Sequence, residues 1–307
     1  MKKNQLGTSN LYISEVGLGC MSLGTDVEKG IRMIHEALHL GVNFLDTADL
    51  YDFGLNEEIV GRAIKGRRDQ VIVATKVGNR WTDSKERWFW DPSAKYIKAE
   101  VKESLRRLQT DYIDLYQLHG GTIEDPIDET IAAFEDLKKE GLIRYYGISS
   151  IRPNVIHEYI KKSNIVSVMM QYSLLDRRPE ELFPLLKENQ ISVIARGPLA
   201  KGLLTEKMKK KSSAQVIENG YLDYSFEEII EINGKMEDLL IPAQRINSMA
   251  LRYPLYNETV ATIIPGASKI EQLRENILET TNNDITKEQY EKLQVITKSS
   301  TYQQHRV

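Results

Sequence analysis

Cys20 is the only cysteine in the chain, so no intramolecular disulfide can staple the fold and stability must come from a buried core. No apolar run approaches the length that spans a bilayer, and Met1-Lys2-Lys3-Asn4-Gln5 leads into no signal-like stretch. A cytoplasmic protein with no membrane partner is therefore expected. Neither sign of charge is in excess: 41 Lys and Arg stand against 44 Asp and Glu, which gives no electrostatic ground for a nucleic-acid partner. Fixed-period repeats and linkers rich in Pro, Gly or Ser are also missing. With 41% hydrophobic and 28% charged residues, the 307 residues can bury a sizeable core, and one domain spanning 1–307 is expected.

What the chain does have is alternation. Eight short apolar runs end in small or polar residues: Val16–Gly19, Asn43–Asp46, Val71–Lys76, Asp114–His119, Tyr145–Ser149, Val166–Gln171, Ile191–Arg196 and Val260–Pro265. They read as buried strands. Between them lie segments of helical period, such as Val27, Ile31, Ile34 and Leu38 closing at Gly41, and Ile127, Ile131, Phe134 and Leu137 closing at Gly141. Eight strands with helical crossovers predict an α/β fold, a closed (β/α)₈ TIM barrel. The segment Asn4–Ile13, with Gly-Thr-Ser-Asn at its centre, reads as an N-terminal β-hairpin capping the barrel bottom, and an extra C-terminal helix is expected after Thr286. Two long connections, Gly78 to Pro92 and Thr205 to about Leu239, read as functional loops, the second as a lid over a cofactor.

Chemistry in such barrels sits at the carboxyl ends of the strands. There the sequence places Asp46, Lys76 and His119 on consecutive strands, with Tyr51 five residues beyond Asp46. A phenol titrates near 10 and is a poor acid at neutral pH. An ammonium about 4 Å away, at an effective dielectric of about 20, favours phenolate by about 4 kcal/mol before screening. Lys76 supplies that charge in this reading, Asp46 keeps it aimed, and His119 orients the reacting oxygen. The cluster suits protonation of a carbonyl oxygen. Taken one at a time, the same residues also fit a structural ion pair with a buried Tyr and a satisfied His.

An ordered series of phrases then resembles the aldo-keto reductase superfamily over nearly the whole chain. It comprises Gly17-Leu18-Gly19, Leu45-Asp46-Thr47-Ala48-Asp49-Leu50-Tyr51, Thr75-Lys76, Asp111–Leu115 leading to His119, Gly147-Ile148-Ser149-Ser150, Gln171-Tyr172-Ser173, Gly197-Pro198-Leu199 with Gly202-Leu203-Leu204, and Ile264-Pro265-Gly266. The resemblance implies a catalytic tetrad of Asp46, Tyr51, Lys76 and His119 that reduces a small-molecule carbonyl, or oxidises an alcohol, with NADPH or NADP+. It implies that Ser149, Ser150 and Gln171 hold the nicotinamide carboxamide. Further cofactor contacts are implied at Gly19, Met21 and Asp46, at Arg196, Gly197, Pro198, Leu199, Lys201 and Gly202, and at Gly266, Ser268, Lys269, Gln272, Glu275 and Asn276. Two positions depart from the pattern. Arg196 stands where many members put an aromatic residue against the nicotinamide, and Ser150 where many have Asn. A non-catalytic, redox-sensing subunit with slow turnover remains an alternative, as does a barrel aldolase using Lys76 as a Schiff base. A monomer or small homo-oligomer is compatible with the sequence.

The remaining motifs carry less. His35-Glu36-Ala37-Leu38-His39 spells a zinc-protease pattern, but burial of Ile31, Ile34 and Leu38 turns both His toward the outer surface, so no metal is expected. Gly17-Leu18-Gly19-Cys20-Met21-Ser22 lacks the third glycine of a dinucleotide fingerprint. Lys207-Met208-Lys209-Lys210-Lys211 reads as a solvated stretch, and Cys20 as a small buried residue. Trp81, Trp88 and Trp90 fit equally a mini-core pinning their loop and an aromatic wall for substrate.

Overall fold

The computed structural model describes residues 1–306; Val307 and the side chain of Lys211, the last residue of the basic run, lie outside the described residues. The chain opens with the expected hairpin, β1 (Lys3–Gln5) against β2 (Tyr12–Ser14). Strand β3 (Leu18–Gly19) then begins a parallel ring. It continues through β4 (Phe44–Asp46) and β5 (Ile72–Val77). A second hairpin, β6 (Asn79–Trp81) with β7 (Trp88–Trp90), interrupts it. The ring resumes with β8 (Ile113–Leu118), β9 (Ile143–Ser149), β10 (Ser167–Gln171), β11 (Ser192–Arg196) and β12 (Val260–Ile264). All eight ring strands fall where the apolar runs predict them, in sequential spatial order. The circle closes through a parallel bridge between Val16 and Ile263, where the Gly17 N–H donates to the Ile263 carbonyl at 2.9 Å.

Helices α1 (Val27–His39), α2 (Leu55–Ile64), α3 (Ala94–Leu108), α4 (Ile127–Lys139), α5 (Pro153–Lys162) and α6 (Phe183–Glu188) form the crossovers up to β11. Their starts are written in the sequence: the Asp26 carboxylate caps α1 at the Lys29 N–H, and the Ser93 hydroxyl caps α3 at the Tyr96 N–H. The stretch read as a loop from Thr205 instead carries α7 (Met208–Lys211), α8 (Ala214–Asn219) and α9 (Phe226–Asp238), followed by α10 (Ile246–Leu255). In α9, Ile229, Ile232 and Met236 recur at helical spacing and are buried, and a Ser225–Glu228 capping box fixes its start. After β12 come α11 (Ile270–Asn282) and the expected C-terminal helix α12 (Lys287–Ile296), capped by Thr286.

Two apolar clusters share the work. One lies between the strands and the surrounding helices. The other fills the barrel, where Leu6, Leu11 and Ile13 of the hairpin pack on Phe44, Leu115 and Ile194, so the hairpin seals the end opposite the strand tips. The buried face of α1 differs from the expected one: it is Gly30, Met33, Ile34 and Ala37, with Ile31 and Leu38 only half-buried. The cause is close approach of α2, because a Cβ at Gly30 would lie 2.7 Å from Ile59 Cγ2. A tighter approach occurs at Gly61 of α2, where a Cβ would meet the backbone carbonyls of Leu108 and Arg107 at 2.6 and 2.7 Å. Backbone cannot step aside as a side chain does. Gly61→Ala is therefore expected to cost about 1–3 kcal/mol, read as a lower thermal unfolding midpoint.

Candidate active site

Parallel register brings the strand-end residues together. Asp46 ends β4 opposite Ala74, and Lys76 of β5 stands opposite Gln117 of β8. His119 follows β8 directly, its N–H donating to the Val77 carbonyl at 2.7 Å. The Lys76 ammonium, 1% exposed, donates to Asp46 Oδ2 at 2.7 Å and to the Thr47 carbonyl at 2.8 Å. Asp46 Oδ1 accepts a second bond to this carboxylate from Gln117 Nε2 at 3.3 Å. Above this pair stands Tyr51, with Lys76 Nζ 5.2 Å from its ring centroid and the His119 ring edge-on to it at 5.9 Å and 84°. All four predicted residues thus meet in one place.

Tyr51 rides on a strained turn. Asp52, Phe53 and Gly54 follow it with φ of 48°, 57° and 89°, and two of the three carry side chains that disfavour that region. Such a turn persists only when its surroundings fix it. Trp81 Nε1 donates to the Leu50 carbonyl at 3.0 Å, and its ring packs on Phe53 at 4.5 Å between centroids. Of the three tryptophans, Trp81 clamps this turn. Trp90 lies over Gly78 and Gly120 while donating to Asp125, and Trp88 is exposed. A cavity of about 480 Å³ opens beside the turn between Phe53, Arg80, Trp81, Tyr96 and Glu100, and none of the four clustered residues lines it.

Burial and neighbouring charge set the protonation states. Burial, with the positive charges of Lys76 and Arg196, pushes the His119 imidazole down to about 3, so the ring is neutral at pH 7. Its Nδ1 is buried without a hydrogen-bond partner among the described residues. Burial alone would lower Lys76, but Asp46 and Tyr51 outweigh it and hold the ammonium above its ordinary value. The Asp46 carboxyl is raised by burial against the pull of Lys76. At 2.7 Å we read the two as an ion pair with its proton on lysine. Asp49, two residues before Tyr51, is raised by burial and by Glu57 and Glu100, and accepts a bond from the Tyr96 hydroxyl. Cys20 is fully buried and its thiol is pushed up by that burial, away from reactivity.

A second group gathers at the ends of β9, β10 and β11. Ser149 pairs with Met169, and Gln171 with Arg196. Gln171 Nε2 donates to Asp176 and to the Tyr221 hydroxyl, and Arg196 Nη1 approaches Gln171 Oε1 at 3.4 Å. The Ser150 hydroxyl is engaged, accepting the Arg152 N–H at 3.2 Å. Beyond Arg196 the chain turns through Gly197, Pro198 and Leu199 into left-handed Ala200, Lys201 and Gly202.

The third group lies past β12. Gly266 is open, with only Ser22 Oγ within 4 Å of a built Cβ, while a Cβ at Gly19 would strike Ile264 at 2.7 Å. Met21 is 64% exposed beside it in sequence. Just before α11 both donors of Ser268 are engaged: Gln272 Oε1 accepts from its N–H at 3.1 Å and from its hydroxyl at 3.3 Å. Lys269 is exposed. Glu275 is held by Arg245 and Asn247 at 3.2 Å each, and Asn276 donates to the Gly266 carbonyl. Arg245, Asn247, Asp176 and Tyr221 were not singled out by sequence. They stand in no motif, and only tertiary packing brings them here. His35 and His39 are exposed on α1, where a His35 ring nitrogen contacts the Ala63 carbonyl and Glu36 pairs with Arg274. No group of three metal-ligating side chains converges among the described residues. Among them, too, no helix is long and apolar enough to cross a membrane.

A parallel barrel with an acid, a phenol, an ammonium and a neutral imidazole at its strand tips gathers groups suited to proton transfer, and comparison with known proteins makes the class specific. Residues 15–298 match the model of the aldo/keto reductase family, and the chain belongs to that family. It is 62% identical over 306 residues to the oxidoreductase YqkF of Bacillus subtilis (strain 168), covering all of both chains. It is 34% identical over 302 residues to the NADH-specific methylglyoxal reductase of Escherichia coli (strain K12), covering 90% of this chain and 93% of that one. The holo form of aldo-keto reductase AKR11C1 from Bacillus halodurans superposes with a TM-score of 0.93 at 56% identity, covering both chains in full.

Proposed function

We propose that the protein reduces small aldehydes or ketones to alcohols with NADPH, and runs the reverse oxidation with NADP+. The observation that carries this reading is the buried Lys76–Asp46 pair set against Tyr51 and a neutral His119. When bound, the cofactor supplies a hydride from C4 of its nicotinamide ring. Tyr51 gives its hydroxyl proton to the carbonyl oxygen, Lys76 stabilises the phenolate left behind, and Asp46 holds Lys76 in place. His119, being neutral, donates a hydrogen bond to the same oxygen and orients it. An ammonium held protonated by a carboxylate 2.7 Å away is no nucleophile, which disfavours a Schiff-base aldolase. The donor set at the β9–β11 ends suits a carboxamide: Gln171 offers a carbonyl acceptor and Ser149 a hydroxyl donor. A panel of aldehydes and ketones followed by NADPH absorbance tests the reading, and absence of multiple turnover with every carbonyl would overturn it.

For the adenosine end we propose that Lys269 pairs with the 2′-phosphate, with Ser268 released from Gln272 as the phosphate takes its place. One charge-assisted contact is worth about 1.5–3 kcal/mol, or about ten- to hundred-fold in selectivity. The expected result is a kcat/KM ratio of NADPH over NADH of at least about ten in the native protein, falling about tenfold in Lys269→Ala. A native ratio near one, or no change on substitution, would remove Lys269 from the phosphate site.

A further inference from the structure

Behind Gln171 stands a carboxylate that the reading above leaves without a task. Asp176 is fully buried just past β10, in a tight turn whose backbone bonds run both ways between Ser173 and Asp176. Arg178 grips both of its oxygens, Nε to Oδ1 at 2.7 Å and Nη2 to Oδ2 at 2.8 Å. Asp176 Oδ2 also accepts from Gln171 Nε2 at 2.9 Å. A second acceptor for the same amino group, the Tyr221 hydroxyl at 3.1 Å, comes from the connection between α8 and α9.

A glutamine amide has two unlike ends of nearly equal shape, and only its partners decide which end faces a ligand. A carboxylate paired with a guanidinium accepts and does not donate, so it can hold only the NH₂ end. With both NH₂ contacts directed to Asp176 and Tyr221, the carbonyl end turns toward Arg196 and the strand-tip mouth. We infer that Asp176 is a positioning residue that fixes the Gln171 amide carbonyl-outward, so that the site selects a cofactor ring bearing a carboxamide NH₂. This rests on the proposed role of Gln171 as the carboxamide acceptor. An amide turned the other way sets its carbonyl against the Asp176 carboxylate and its NH₂ against the ligand NH₂, losing both of those bonds.

The test is equilibrium binding of NADP+ and of its 3-acetylpyridine analogue, in which a methyl group replaces the carboxamide NH₂. Asp176→Asn supplies an amide that can pair with either end of Gln171. It is expected to weaken NADP+ by about tenfold and the analogue by less than about twofold, one hydrogen bond's worth of discrimination. Asp176→Ser, whose hydroxyl also pairs with either end of the amide, is expected to show the same selectivity, so the inference stays testable if Asp176→Asn does not fold. Gln171→Ala reports on the underlying reading and is expected to lose NADP+ selectively. If Gln171→Ala is selective while Asp176→Asn and Asp176→Ser weaken both ligands equally or neither, Asp176 is only structural and the inference falls. If Gln171→Ala shows no selectivity, the carboxamide reading itself falls, and the inference with it.

Discussion

Tyr51→Phe is expected to lower carbonyl reduction by about 10²- to 10⁴-fold while cofactor affinity and thermal stability stay near native values. The substitution removes one oxygen and keeps the ring that meets His119 edge-on and lies over Lys76. His119 cannot take over the proton transfer. With its imidazole pushed down to about 3 by burial and by the Lys76 and Arg196 charges, almost no imidazolium exists at pH 7. For the same reason the residual rate should show no acid limb near the ordinary histidine value of about 6.5. Single-turnover rates with saturating cofactor check the loss, and titration of cofactor fluorescence checks the affinity. Native turnover in this variant would mean that the acid is another group and that the mechanism is wrong.

The strand tips were legible in the sequence because each apolar run ends in a small or polar residue, and parallel register then suffices to bring Asp46, Lys76 and His119 side by side. Tyr51 was legible through its phrase but not through its geometry. Nothing in the residue pattern says that Asp52 and Phe53 turn left-handed, or that Trp81 reaches back to the Leu50 carbonyl. The same limit hid Gln117, 71 residues from the Asp46 it touches, and the Asp176–Gln171–Tyr221 group. Those contacts depend on rotamers and on packing between distant segments, which periodicity does not encode. In the stretch from Thr205, α7 and α8 span four and six residues, too short to display an amphipathic period, whereas α9 does carry one in Ile229, Ile232 and Met236 and was legible as a helix. At α1 the pattern named the helix but not its full inward face, because the residue that lets α2 approach is Gly30, which carries no hydrophobic signal. Just before α11, both donors of Ser268 are already taken by Gln272 Oε1, four residues on, a contact that no periodicity encodes.

Lys76→Met is expected to damage catalysis and folding together, and the loss of stability depends on pH. Turnover is expected to fall by about 10²- to 10³-fold, because the ammonium buried against Tyr51 is gone. Stability falls as well, by about 3–5 kcal/mol at neutral pH, since removing one member of a buried pair strands the other. Asp46 would then keep its Gln117 contact but lose the 2.7 Å bond to the ammonium, and the Thr47 carbonyl would lose its donor. Burial already raises the Asp46 carboxyl with Lys76 present, and without that opposing charge it rises further. A carboxyl whose folded value lies above its unfolded value favours the fold at low pH, and that contribution disappears as pH rises through the folded value. The loss in Lys76→Met should therefore be larger at pH 8 than at pH 5, as seen in denaturant midpoints. Adding Asp46→Asn removes the stranded charge, so the double variant should recover much of the stability at pH 8 and none of the turnover. A double variant as unstable at pH 8 as the single one would mean that Lys76 supports the fold through packing and not as the counterion of Asp46.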